Sequence, residues 1–336
     1  MLNIKELTIL TEGGSTFGFG HLTRTKSIAQ AFNHIGITVK FIINGDDSVK
    51  EIIDMYLYDL FNWTQNTNQL FYLLKQTKFI LIDSIEISNV LIKKIESLNI
   101  KVAFIDDFIR RNILDRGIVI DWTVLSEKKD YFIPKKIGVT YLLGSKYTPL
   151  RKEFSDAKKN LIKEKLTSIL VTFGGADVRN LTPNILNLLN ESFPQLEKNI
   201  VIGGGFQNVL EIQKLEDDKT NLIFNADTNK MIKLMQESDI AIASGGQTLY
   251  ELARIGTPTI AILLVKNAID DTHGWAEVGT LENIGWYNDV QLFQKLVSKI
   301  NSMNNYQMRK KMQFNAKKYI NSHGAKLLVE KILECL

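Results

Sequence analysis

Apolar residues in the first half of the chain come in short continuous runs, not in alternation. Leu7 to Leu10, Val39 to Asn44, Phe79 to Asp83, Val102 to Asp107 and Ile118 to Asp121 each read as a strand covered on both faces. Between them, Lys26 to Phe32 and Leu91 to Leu98 place apolar residues at helical spacing. Strands separated by helices predict a parallel sheet with helices on both faces. From Tyr141 to Lys165 the pattern lapses into the turn-like Gly144 to Arg151 and a lysine-rich stretch expected to be helical, then begins again. Ser168 to Phe173, Asn199 to Ile202, Leu222 to Phe224, Ile240 to Ala243 and Thr259 to Val265 read as strands. Helices are expected from about Leu181, around Met231 to Met235, over Leu249 to Arg254 and after Val290. The expectation is an α/β chain of two doubly wound domains, 1–155 and 156–336, facing each other across a cleft.

Composition narrows the class. A hydrophobic content of 45% with 23% charged residues is that of a globular protein, and 336 residues suffice for two cores. No run approaches the ~20 apolar residues needed to span a bilayer. Asn3, Lys5 and Glu6 beside a short apolar run do not make a secretory signal. The single cysteine, Cys335, excludes an internal disulfide framework and fits a reducing cytosol, so a cytoplasmic protein is expected; a monomer is expected as well. A net charge of +4 gives no reason to expect nucleic acid, but does not repel a phosphorylated small molecule.

The carboxyl ends of the strands gather the candidate chemistry, as expected for sheets of this kind. After the first strand comes Gly13-Gly14-Ser15-Thr16-Phe17-Gly18-Phe19-Gly20-His21-Leu22-Thr23-Arg24, a glycine-rich turn into a helix. Gly18 and Gly20 let backbone N–H groups approach a ligand, and the helix start favours an anion. His21 and Arg24 add a titratable imidazole and a fixed cation. Asp83, Asp106 and Asp107 end their strands, each either as a turn or capping residue or as the group that orients His21. In the second half, Ser244-Gly245-Gly246-Gln247-Thr248 opens a helix and is the best diphosphate candidate, with Glu251 one turn on to accept from ribose hydroxyls. Gly174 and Gly175, before Ala176 and Asp177, form either a second anion loop or a tight capped turn. Metal-ligand spacing is absent, and no cofactor is implied.

These motifs, with Tyr147-Thr148-Pro149-Leu150-Arg151-Lys152-Glu153-Phe154 and Val265-Lys266-Asn267, occur in the order seen in the UDP-sugar hydrolases of pseudaminic acid biosynthesis, which the chain resembles over most of its length. The resemblance implies a GT-B fold of two Rossmann-like domains. It also implies metal-independent removal of UDP from a 2,4-diacetamido-2,4,6-trideoxyhexose, with inversion and with His21 as general base. Ser244 to Thr248 and Glu251 would hold UDP. Gly18, Gly20, Arg24, Asp83, Asp107, Tyr147, Arg151, Gly174, Gly175 and Asn267 would lie along the substrate. Ser84 and Ile85 stand where the family has a histidine and a tyrosine, Ala268 replaces a glutamine, and Asp121 replaces an asparagine. A changed sugar, or an acceptor other than water in a glycosyltransferase of the same fold, would leave the same pattern.

Overall fold

A computed structural model describes residues 4–53, 55–127 and 135–336. The contacts divide the chain into two compact units, Met1–Lys152 with His323–Leu336, and Glu153–Ser322.

The first unit runs β1 (Glu6–Gly13), α1 (Gly20–His34), β2 (Thr38–Gly45), α2 (Lys50–Ile53), β3 (Leu57–Leu60), α3 (Thr67–Leu74), β4 (Phe79–Asp83), α4 (Asn89–Ser97), β5 (Lys101–Ile105), β6 (Gly117–Asp121) and β7 (Val139–Leu143). Its strands pair in parallel in the order β3-β2-β1-β4-β5-β6-β7. The order reverses between β1 and β4, so the loops leaving these two strands diverge to opposite faces and open a crevice at their carboxyl ends. The register sets Thr11 beside Asp83 and so brings the end of β1 to the end of β4. Continuous apolar strands produce this sheet because both faces are covered: every residue of β4 is buried, as are seven of eight in β1.

In the second unit, after α5 (Lys152–Asp156) at the boundary, come β8 (Ser168–Thr172), α6 (Thr182–Ser192), β9 (Glu197–Ile202), α7 (Val209–Lys214), β10 (Thr220–Phe224), α8 (Thr228–Glu237), β11 (Ile240–Ser244), α9 (Gln247–Ile255), β12 (Thr259–Leu263), α10 (Ile269–Glu277), β13 (Leu281–Trp286), α11 (Leu292–Ser302) and α12 (Tyr306–Tyr319). The order β10-β9-β8-β11-β12-β13 repeats the reversal between β8 and β11. Its core joins the strands to α6 and α11 through residues such as Ile185, Leu189, Ile242 and Leu296.

Three expectations change. The lysine-rich stretch before β8 is helical only over Lys152–Asp156. Beyond it Asn160 donates to the carbonyls of Met235 and Ser238, and its own N–H bonds Ile255 O, so tertiary partners take the groups a helix would have paired. Strands β3, β7 and β13 carry too few consecutive apolar residues to be read from the pattern. Finally, the sequence assigned 156–336 to one domain, whereas α13 (Gly324–Glu334) packs on α1 and on the turn Ser145–Tyr147 of the first unit. No described helix is long and apolar enough to cross a membrane.

Candidate active site

In the first unit, the reversal between β1 and β4 places His21 against Asp83, with Nδ1 2.8 Å from Oδ1. A carboxylate only accepts, so Nδ1 carries the proton and Nε2 of the neutral ring is left as an acceptor. Of the three carboxylates considered for this role, the structure selects Asp83. Asp106 instead accepts from the backbone N–H groups of Arg111 and Asn112 and shapes its own loop, and burial raises its carboxyl above the ordinary value.

Asp83 is fully buried and is held from its other side by Arg24, whose Nε donates to Oδ2 at 2.7 Å and Nη2 to Oδ1 at 2.5 Å. Burial pushes the Asp83 carboxyl up, but the charge of Arg24 and the hydrogen bonds from Arg24 and His21 outweigh it and hold the group well below the usual carboxylate range. For Arg24, burial pulls downward and the charges of Asp107 and Asp83 more than reverse it, so the guanidinium is held firmly protonated. Arg24 also bonds Asp107 at 2.9 Å and lies 5.0 Å above the Trp122 ring. The expectation of a substrate-facing Arg24 and Asp107 therefore changes character: their facing groups are turned on each other and brace Asp83.

The loop between β1 and α1 is closed on itself. Gly14 and Gly18 exchange backbone hydrogen bonds at 3.0 and 2.8 Å, and the positive φ of both, +124° and +73°, is why glycine stands there. Asp46, at the end of β2, accepts from Ser15 N and Oγ and from Ser48, which together lower its carboxyl below the ordinary range. The start of α1 has no side-chain cap, so the N–H groups around Gly20 and His21 remain available to an anion.

A residue that the sequence reading passed over joins this group. Glu12, in β1 and 2% exposed, accepts from Ser84 Oγ at 2.5 Å and from Ile85 N at 2.8 Å, and its Oε1 lies 3.9 Å from His21 Nε2. The signal for it was present: like Asp83, it is a carboxylate at the carboxyl end of an apolar run.

In the second unit, the corresponding reversal pairs β8 with β11, Thr172 against Ala243, so the loop with Gly174 and Gly175 and the loop from Ser244 to Gly246 leave neighbouring strands at the same end of the sheet, and Gly175 O accepts from Gly205 N. Gly246 occupies the N-cap of α9 at φ +109° and no side chain caps the helix, so the amides near Gln247 and Thr248 are presented without a competitor. Gly245 permits close packing: a Cβ there would lie 2.6 Å from Ala268 Cβ and 2.7 Å from Thr272 Oγ1. Gly174, at φ +71°, and Gly175 have open space around them. Asp177 accepts from the N–H groups of Leu181 and Thr182, the capping role that was its bland alternative. Glu251 is buried in α9, and Asn267 sits in the short turn Lys266–Ala268 before α10. Tyr147 is buried in the turn that packs on α13, and Arg151 is half-buried beyond it.

Residues 168–332 match the glycosyltransferase family 28 C-terminal domain. The chain is 29% identical to an uncharacterised protein of Methanocaldococcus jannaschii over 79% of its own length, and spans 58% of that relative. It is 26% identical to the UDP-2,4-diacetamido-2,4,6-trideoxy-beta-L-altropyranose hydrolase of Campylobacter jejuni, over 79% of this chain and 93% of that one. Among solved structures, MurG of Acinetobacter baumannii superposes with a TM-score of 0.70 at 14% identity, covering 98% of this chain and 99% of that one. The fold is therefore of the GT-B type, and the resemblance to the UDP-sugar hydrolases expected from the motifs is found across most of the chain.

Proposed function

We propose that the protein is an enzyme of nucleotide-sugar chemistry that hydrolyses a UDP-activated 2,4-diacetamido-2,4,6-trideoxyhexose to free sugar and UDP. The observation that carries the reading is the 2.8 Å contact of His21 Nδ1 with the buried Asp83, which leaves the lone pair of Nε2 to serve as the base. Similarity to the Campylobacter hydrolase supports the substrate class. In this reading Nε2 takes a proton from water as the water oxygen bonds the anomeric carbon with inversion. The bond from that carbon to the diphosphate oxygen breaks, its electron pair leaves with UDP, and the imidazolium returns its proton to solvent. The loop Ser244 to Thr248 binds the diphosphate at the start of α9, Glu251 binds the ribose, and Gly174, Gly175 and Asn267 complete the ligand's surroundings. No metal has a part in these steps.

One observation favours a second reading. The match over 168–332 is to a glycosyltransferase domain, and a transferase would use the same base on an acceptor hydroxyl. Proton NMR of the full chain with UDP-diacetamido-trideoxyhexoses and no acceptor separates the two. Free sugar appearing first as the inverted anomer is expected; UDP binding without release would leave the transferase. His21→Ala should lower turnover by about 10²–10⁴ and leave UDP affinity within a few fold, because the nucleotide loop belongs to the other unit. Glu251→Ala should weaken UDP binding by about 1.5–3 kcal/mol; unchanged affinity would remove Glu251 from the site.

A further inference from the structure

His21 Nε2 and Glu12 Oε1 are 3.9 Å apart, too far for a direct hydrogen bond and the kind of gap that one water bridges. Both are fixed. Asp83 holds the imidazole through Nδ1, and Glu12 is pinned by Ser84 Oγ on Oε2 and by Ile85 N on Oε1. The bond from Ile85 leaves Oε1 with further accepting capacity on a carboxylate that is otherwise sealed in protein. Burying a carboxylate carries a desolvation cost that a turn of three residues does not need, since a hydroxyl or amide would serve for capping.

We propose that Glu12 is a second catalytic residue that selects water as the nucleophile. This rests on the hydrolase reading. A water lying between the two acceptors donates one hydrogen to His21 Nε2 and the other to Glu12 Oε1, which turns its lone pairs away from both and toward the anomeric carbon. As the oxygen–carbon bond forms and the bond to the diphosphate breaks, the first proton passes to Nε2. The second stays on the oxygen, which becomes the sugar hydroxyl still bonded to Glu12. An alcohol carries only one proton, so it can satisfy the base or the carboxylate but not both, and leaves a buried acceptor unpaired. A site built to accept from a group rejects the analogue that lacks it.

The test is the partition of product in water–methanol mixtures, measured by NMR as methyl glycoside against free sugar with the full chain and its UDP-sugar substrate. The ratio counts only molecules that turn over, so a loss of folded protein does not move it. Glu12→Met, which removes the acceptor, should raise the methyl glycoside share about tenfold or more, the size of one lost hydrogen bond to a charged group. Glu12→Gln, which keeps an uncharged oxygen, should give a smaller rise, and it decides the matter if the Met variant does not fold. Ser84→Ala removes one of the bonds that pin Glu12 but keeps the Oε1 acceptor, so it should raise the ratio by less than either Glu12 variant. An unchanged ratio in both Glu12 variants overturns the proposal and reduces Glu12 to a brace for residues 84–86. So does an equal rise in Ser84→Ala. Absence of UDP release by the wild-type protein removes the hydrolase reading, and this inference with it; wild-type release with unaltered ratios removes the inference alone.

Discussion

Asp83 carries more of the first unit's electrostatics than its position at a strand end suggests. It faces His21 on one side and a two-point contact from Arg24 on the other, with no exposed surface. Asp83→Asn keeps the shape but leaves the Arg24 charge partly uncompensated, so it should destabilise the unit by about 3 kcal/mol at pH 7. It should also lower turnover by roughly 10²–10⁴ because the imidazole loses its fixed tautomer. The pH dependence has a definite sign. The folded carboxyl is depressed below its unfolded value, so its stabilisation is fully present above about pH 4 and fades as the pH falls toward the folded value. Chemical denaturation of wild type and variant should therefore give curves that converge below pH 4; a constant gap across that range would contradict the assignment.

At the scale of elements, both loops that leave the sheet reversals depend on glycine for different physical reasons. Gly246 needs its positive φ at the N-cap of α9, with open space beside it. Gly246→Ala should cost about 1–3 kcal/mol of backbone strain. Gly245 instead lies against α10, and Gly245→Ala drives a methyl onto Ala268 and Thr272. The expected loss is about 1–3 kcal/mol of stability, with weaker UDP binding as α9 and α10 are forced apart. Thermal melts with and without UDP distinguish these: the Gly245 variant should lose most of the UDP-induced rise in Tm, and an undiminished rise would place the nucleotide elsewhere.

For the whole molecule, the chain's return to its first unit is the feature with the largest energetic consequence. Leu328, Val329 and Ile332 of α13 are all at or below 1% exposure, and each such side chain stabilises by about 1.5–3 kcal/mol. Gly324 comes so close to Thr148 that a Cβ would fall 2.2 Å from its carbonyl oxygen. A chain ending at Ser322 should thus lose several kcal/mol from the first unit while the second keeps its own core. Limited proteolysis should cut the truncated protein within 1–152 and spare 153–322; equal protection of both would show that α13 contributes little.

Most strands of both sheets were legible in the sequence because a strand covered on two faces must be apolar throughout, though β3, β7 and β13 were not, and the loops were legible because glycine marks where the backbone turns sharply or is left bare. Sequence therefore determined two doubly wound units, a histidine loop in the first and a glycine-rich loop at the start of α9 in the second. It also carried, in the order of its motifs, the resemblance to UDP-sugar hydrolases. It did not separate Asp83 from Asp106, show Arg24 turned inward or single out Glu12. Those depend on which strands become neighbours. The pairing of β1 with β4 brings together residues 62 to 72 positions apart, and the closing helix packs on α1, which begins about 300 residues before it. Periodicity records only whether a position is buried; who faces whom is decided by the order of strands, and that is a property of the folded sheet.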